Sequence, residues 1–176
     1  MRTTLEVDGL RALMRELACS VRGSRSYRVF LVGGRTAVLE GWRSSTIDAD
    51  LFSDQDEVFH DIQQIKERLQ LNVEFARPED FVPPLAGSDQ RHVFIEAVGN
   101  VSFFHYDPYA QMFSKVVRGF ARDIVDAKNF LTSGMVDADR FRALVSEITT
   151  KRYARYPSLS PEAVLKAVHS FLSNSE

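Results

Sequence analysis

Residues Val29 to Phe52 read VFLVGGRTAVLEGWRSSTIDADLF, and the predicted architecture is built around this stretch. Residues 27–32 are mostly aromatic and β-branched and stop at two glycines, which predicts a buried strand that ends in a tight turn. A short helix is predicted over residues 36–39 and a second strand over residues 46–52. The stretch therefore predicts two strands and a helix at the centre of a small α/β (α+β) domain.

The two glycines, Gly33 and Gly34, lie where the first strand ends. Because neither has a Cβ atom, a phosphate group can approach the backbone amides closely, and the start of the following helix favours its negative charge. The alternative is that the glycines only allow a helix to pack closely on a strand, as in many α/β proteins. The Gly-Gly turn alone leaves both interpretations open.

Two carboxylates, Asp48 and Asp50, alternate with alanine on the second strand, so their side chains point to the same face. Like charges on one face repel each other unless a cation lies between them. A ligand set made only of oxygen atoms suits Mg²⁺ or Mn²⁺ rather than zinc. No histidine has a partner at metal-ligand spacing, so His92 and His105 are predicted to be structural or surface residues.

These features occur in a fixed order: a hydrophobic residue, Gly33-Gly34, 13 intervening residues (35–47), then Asp-Ala-Asp-Leu. This order resembles the signature of the DNA polymerase beta-like nucleotidyltransferase superfamily. More narrowly, the chain resembles small bacterial nucleotidyltransferases related to toxins of the abortive-infection type. Residues 104–131 read FHYDPYAQMFSKVVRGFARDIVDAKNFL and resemble their helical lysine followed by Arg-Asp-x-x-Asp. The two segments span most of residues 29–131.

The resemblance implies transfer of a nucleoside monophosphate from a nucleoside triphosphate (NTP) to a hydroxyl acceptor, with release of pyrophosphate. It implies that Asp48 and Asp50 bind Mg²⁺ or Mn²⁺ and that Glu74, predicted on the next strand, is the third carboxylate and the base. Glu74 is alternatively an exposed strand residue, Arg43 a member of a surface pair, and the later charges ordinary helix pairs. The residues expected to contact the nucleotide are Gly33, Gly34, Arg43, Ser45, Thr46, Lys115, Arg118, Asp123 and Asp126. Lys115 is also expected to be catalytic, together with Asp48, Asp50 and Glu74.

The length of 176 residues, with 44% hydrophobic residues and 13 phenylalanines, suffices to bury one substantial core. We expect a nucleotidyltransferase domain over residues 1–131 and a C-terminal helical extension over residues 132–176, packed on it as one compact unit. Further strands are predicted over residues 71–76, 92–98 and 100–106. Further helices are predicted over residues 10–21, from a cap at Asp54 to Leu69, over residues 108–118, after a bend at Gly119 to Leu131, and after Asp137 and Ser160.

The single cysteine, Cys19, excludes an intramolecular disulfide framework and fits a reducing compartment. The sequence has no signal peptide pattern and no run of about 18 apolar residues. We therefore expect a cytoplasmic protein with no membrane partner.

The net charge of −2 gives no general reason to expect a nucleic-acid partner, but the charges are unevenly distributed. Residues 46–107 hold 13 acids and 4 bases, whereas residues 115–155 hold 9 bases and 5 acids. The basic segment is compatible with binding of triphosphate or RNA phosphates and equally with solvated helix faces. Basic and aromatic residues alternate near its end, which fits either a nucleic-acid strand or a solvated helix end: Lys151, Arg152, Tyr153, Arg155 and Tyr156.

Three functional classes remain open from the sequence. The first is an enzyme that modifies RNA, most specifically the 3′ end of a tRNA, as a toxin with a cognate antitoxin. The second is an enzyme that modifies a small molecule such as an aminoglycoside. The third is an inactive module that binds a nucleotide or a partner, and the intact pair Asp48 and Asp50 argues against it.

Overall fold

The computed structural model of the protein describes residues 4–175. Two compact units are present. The sheet unit consists of the residues up to Arg77 together with His92–Tyr106, and the helical unit consists of Pro78–Arg91 together with the residues from Asp107 onward. The predicted domain boundary after Leu131 stays a prediction, although the compact units divide after Tyr106.

The elements of the sheet unit are α1 Val7–Ser20, β1 Tyr27–Val32, α2 Gly34–Leu39, β2 Asp48–Phe52, a 3₁₀ turn Asp56–Phe59, α3 Ile62–Leu69, β3 Asn72–Phe75, β4 Val93–Val98 and β5 Val101–His105. The helix predicted to begin at Asp54 starts as this 3₁₀ turn and is α-helical only from Ile62.

The five strands form a mixed sheet in the order β3-β2-β1-β5-β4. Strand β1 is antiparallel to β2 and parallel to β5, β2 is parallel to β3, and β4 is antiparallel to β5. The predicted class, a small mixed sheet flanked by helices, is confirmed.

The two faces of this sheet differ because side chains alternate along each strand. One face is buried in the main hydrophobic core, where Leu31, Leu51 and Phe103 lie in one cluster with the apolar side of α1. The register that buries Leu51 turns its neighbour Asp50 to the opposite face. A slip of β2 by one residue would bury the carboxylate, so burial of the core fixes where the acidic residues lie.

The helical unit begins its long helices with recognisable caps. Asp107 accepts a hydrogen bond from the Tyr109 amide at 3.0 Å, and Pro108 occupies the first position of α4. Ser160 caps the last helix in the same way through the Ala163 amide, so both predicted helix starts are confirmed. The helices are α4 Pro108–Arg118, α5 Ala121–Thr132, α6 Ala138–Ser146, α7 Thr150–Tyr153 and α8 Pro161–Ser173, with 3₁₀ turns Pro78–Asp80 and Ser88–Gln90.

A bidentate ion pair closes the start of α4. Arg91 Nη2 lies 2.7 Å from Asp107 Oδ2; the Asp107 side chain is fully buried and the Arg91 side chain is 9% exposed. Arg91 Nη1 also donates to the Ala86 carbonyl at 2.6 Å, so the pair anchors the preceding loop.

Among residues 4–175, no helix has both the length and the apolar character needed to cross a membrane.

His105, at the end of β5, is buried and links that strand to α2. Its Nδ1 lies 3.1 Å from Thr36 Oγ1, and its Nε2 lies 2.9 Å from Glu40 Oε1. Burial lowers the pKa of His105 below its ordinary value of 6.5, and the opposing effect of the Glu40 carboxylate is smaller. His105 is therefore a structural residue within the sheet unit, as its sequence context predicts.

The pH dependence of stability tests this role. Below about pH 6.5 the unfolded chain protonates His105 more readily than the folded chain does, so the free energy of unfolding should fall as the pH falls. Urea denaturation between pH 7 and pH 5 should show this loss, and His105→Gln should reduce it. His60→Gln is the matched control because the His60 side chain is 89% exposed. An equal pH slope in wild type and His105→Gln would contradict the assignment.

Candidate functional site

The turn after β1 is shaped by the contact between Gly33 and Asp50. Gly33 has φ 68° and ψ −128°, a conformation that residues with a Cβ atom rarely adopt. A Cβ atom at this position would lie 2.8 Å from Asp50 Oδ2. Glycine is thus required here by the close approach of the carboxylate as well as by the backbone conformation.

Gly34 makes the corresponding contact with the loop that leads into β2. A Cβ atom at Gly34 would lie 2.5 Å from Thr46 Oγ1 and 3.4 Å from Arg43 Nη1. The turn therefore brings together Gly33, Gly34, Arg43, Thr46 and Asp50, all of which the sequence nominates. Ser45 precedes Thr46 on the same loop.

Asp48 and Glu74 are joined through Asn72 on the neighbouring strand. The parallel register places Asp48 beside Asn72 and Asp50 beside Glu74. Asn72 Nδ2 donates to Asp48 Oδ1 at 2.8 Å and is 3.3 Å from Glu74 Oε1. The predicted strand face thus carries all three acids, and Asn72 orients two of them.

The donor set can be compared with the needs of the predicted divalent ion. Within residues 4–175, no three His, Cys, Asp or Glu side chains form a group that could hold a metal ion by themselves. Mg²⁺ is usually bound through one or two carboxylates, with waters and substrate phosphates completing the coordination. Asp48 and Asp50, partly exposed on one strand face, fit that kind of site.

Arg35 is the residue at this site that sequence reasoning missed. Its side chain is fully buried, and Nη1 lies 3.6 Å from Asp50 Oδ2. Burial lowers the pKa of Arg35 to about 10, and the charges of Asp50, Asp48 and Glu74 oppose that decrease. The available signal was an arginine directly after Gly-Gly in a short, otherwise uncharged helix that adjoins two strands.

Four of the nominated residues form an ion cluster in the helical unit. Lys115 Nζ lies 2.7 Å from Asp126 Oδ2 and 3.3 Å from Asp123 Oδ1. Arg118 Nη2 pairs with the same Asp123 carboxylate at 2.8 Å. Only 3% of Lys115 is exposed, so the alternative of an ordinary pair on a helix surface does not apply to it.

The aromatic residues in the basic segment are also used by the helical unit itself. Tyr153 is only 6% exposed, and the Tyr156 hydroxyl donates to the Glu79 carbonyl at 2.6 Å. Arg152 Nη1 donates to the Pro84 carbonyl at 3.0 Å. These contacts favour the structural interpretation of this segment over base stacking.

Comparison with known families identifies the protein at the level of its class. Residues 8–170 match a family described as nucleotidyltransferase of unknown function (DUF6036). The chain belongs to this family. No curated protein matches the chain, and no solved structure does. The predicted nucleotidyltransferase class is confirmed, whereas the wider superfamily and the relation to toxins stay predictions.

The DUF6036 match covers both compact units, so it includes the carboxylates of β2 and the ion cluster of α4 and α5. The two clusters differ in chemistry. Asp48, Asp50 and Glu74 keep carboxylate surface open to solvent, while Lys115 and its aspartates are closed off. The strand face is accordingly the better candidate for contact with a substrate.

Replacing Lys115 tests the second cluster. Lys115→Met leaves Asp126 buried without its closest cation, and breaking a buried pair costs about 3–5 kcal/mol of unfolding free energy. Lys128→Met, on the exposed side of α5, should change it by no more than about 0.5 kcal/mol. Urea denaturation measures both. If Lys115→Met were as stable as Lys128→Met, the cluster would not be structural.

Proposed function

We propose that the protein transfers a nucleoside monophosphate from an NTP to a hydroxyl acceptor and releases pyrophosphate. The observation that carries the proposal is the pair Asp48 and Asp50 on one face of β2, with Asp50 against the Gly33 turn, in a chain that belongs to a nucleotidyltransferase family. A spatially assembled set of acidic, glycine and hydroxyl groups is what such a reaction needs from the protein.

Asp48 and Asp50 would hold the divalent ion, Mg²⁺ or Mn²⁺. When bound, such an ion supplies charge neutralisation on the transferred phosphate and fixes its orientation. The hydrogen bond from Asn72 restrains the Asp48 carboxylate on this strand face. Asp50 is held by its contact with the turn.

The NTP phosphates would bind at the Gly33-Gly34 turn and the loop beside it. Thr46 and Ser45 offer hydroxyl groups, and Arg43 offers a charge-assisted contact close to Gly34. Glu74, exposed on β3 beside Asp50, would accept the proton of the acceptor hydroxyl. A role in nucleotide binding is also proposed for the four residues of the ion cluster, Lys115, Arg118, Asp123 and Asp126. Only their place in the motif supports this role, because their charges already neutralise one another.

The proposed acceptor is RNA, and its most specific form is the 3′ end of a tRNA modified by a toxin that a cognate antitoxin controls. Support comes from the sheet face that carries the acids. Phe52 follows Asp50 on that face, and the Arg77 guanidinium lies 5.2 Å from its ring centre. Phe94, on the edge strand β4 and paired with Phe104 of β5, is 57% exposed. Aromatic rings with arginines beside them are the usual means of holding single-stranded nucleic acid.

Substitution of the strand aspartates tests the chemistry. Asp48→Asn and Asp50→Asn should each lower the transfer rate by orders of magnitude, because a site with two carboxylate ligands loses one of them. Asp54→Asn is the matched control, since Asp54 is an exposed acid just beyond β2 that pairs with Arg28. Release of labelled pyrophosphate measures the transfer rate. Electron paramagnetic resonance measures the binding of Mn²⁺. Near wild-type transfer by both site variants would refute the assignment.

The acceptor requires a separate experiment. Purified protein is incubated with total RNA, Mg²⁺ and each α-labelled NTP, and in parallel with aminoglycosides. Label in one RNA size class that is lost in Asp48→Asn supports the RNA proposal. Arg77→Ala should then flatten the dependence of RNA binding on salt by about 0.7 in the logarithmic slope, whereas Arg22→Ala, just beyond the end of α1, should not. Label on aminoglycosides alone would instead establish a small-molecule acceptor.

A further inference from the structure

The hydrogen-bond acceptors of Arg35 do not by themselves explain why an arginine occupies that position. Nη1 donates to the Asp50 carbonyl at 2.7 Å and is 3.2 Å from the Val32 carbonyl. Nε and Nη2 are buried and have no hydrogen-bond partner among residues 4–175. Two carbonyl acceptors could be served by a neutral amide, and burying a cation with unsatisfied N–H groups is costly. The positive charge itself must therefore be what the site uses.

The charges that favour the protonated form of Arg35 all belong to the proposed site. Asp50 is nearest, with Oδ2 at 3.6 Å from Nη1. Asp48 lies on the same strand, and Glu74 lies beside Asp50 on β3, at the spacing of roughly 4.8 Å that separates neighbouring strands. Three carboxylates so close would repel one another strongly in a metal-free protein.

We propose that Arg35 is a positioning residue that serves as the internal counter-charge of the acidic face and holds Asp50 in its binding orientation before any metal ion arrives. The inference rests on the proposed function, because this orientation of Asp50 is useful only if Asp50 binds a metal ion. Gly33 contributes to the same effect, because the absence of its Cβ atom lets the Asp50 carboxylate settle between the turn and the guanidinium. The site is thereby formed in advance, and the ion and substrate need not organise it.

The competing explanation is that Arg35 is only a structural link between the end of β1 and β2 through its two carbonyl contacts. Two substitutions separate the explanations. Arg35→Gln keeps an N–H donor group for the carbonyls and removes the charge, whereas Arg35→Lys keeps the charge and also offers N–H donors. A counter-charge role requires Lys to preserve stability better than Gln, whereas a purely structural link predicts that Gln is at least as stable as Lys.

The experiment is a double-mutant cycle by urea denaturation in chelator-treated, metal-free buffer, with Arg35→Gln, Asp50→Asn and the double variant. Each single change should lower the folding equilibrium constant. If the two changes acted independently, their effects on the folding equilibrium constant would multiply. The constant of the double variant should exceed that product by at least about fivefold. Arg28→Met with Asp54→Asn is the control cycle, because that pair lies in the same unit at 3.2 Å with both side chains more than half exposed. The effects of the two control changes on the folding equilibrium constant should be independent within about twofold.

Additive effects of Arg35→Gln and Asp50→Asn, or a Gln variant at least as stable as the Lys variant, would overturn the inference. If Arg35→Gln does not fold, the same cycle is run with Arg35→Lys. Because the lysine retains the charge facing Asp50, the effects of Arg35→Lys and Asp50→Asn should then be additive within about twofold, and coupling of fivefold or more would overturn the inference. Mn²⁺ titration of the wild type by electron paramagnetic resonance tests the proposed function separately. Absence of Mn²⁺ binding with intact coupling would refute the metal site alone, and the opposite result would refute only the role of Arg35.

Discussion

The close contact between β2 and the turn after β1 is the constraint on which the rest of the site depends. Asp50 can lie against the turn only because Gly33 has no Cβ atom, and Thr46 can lie over Gly34 for the same reason. The antiparallel pairing of Val32 with Asp50 fixes this contact in the sheet. Once it is made, the alternation of β2 places Asp48 on the same face.

Burial of charge is used for opposite purposes in the two compact units. In the helical unit, Lys115 and Arg118 neutralise Asp123 and Asp126 within one cluster, which links two adjacent helices. In the sheet unit, the cation Arg35 is fully buried, while the acids that act on it keep exposed surface. A closed cluster has little remaining affinity for a ligand, whereas an acidic face with its counter-charge underneath can still attract a cation.

An incomplete ligand set is consistent with nucleotidyl transfer. In the proposed site, two strand carboxylates would supply part of the coordination of a hard divalent ion, and substrate phosphates would supply much of the remainder. Under this proposal, assembly of the full site would depend on the nucleotide, so the protein would need a rigid acidic face more than a complete cage. The hydrogen bond from Asn72 and the proposed positioning role of Arg35 would both serve that rigidity.

Sequence alone determined the elements and the face of the candidate site, whereas only the tertiary structure decided which charged side chains are buried. Alternation along a strand puts Asp48 with Asp50 and Asn72 with Glu74, because burial imposes a period of two on a strand and about 3.6 on a helix. Helix starts at Pro108 and Ser160 are also predicted from local sequence, since a proline without an amide hydrogen and a capping hydroxyl both suit the first turn.

The spacing of Lys115, Asp123 and Asp126, by contrast, fits both an exposed helix surface and an internal cluster, because sequence separation does not specify which side of a helix meets a neighbour. Arg35 lies in a six-residue helix, too short to show a periodic pattern, and its burial follows from the packing of two strands that are separated in the sequence.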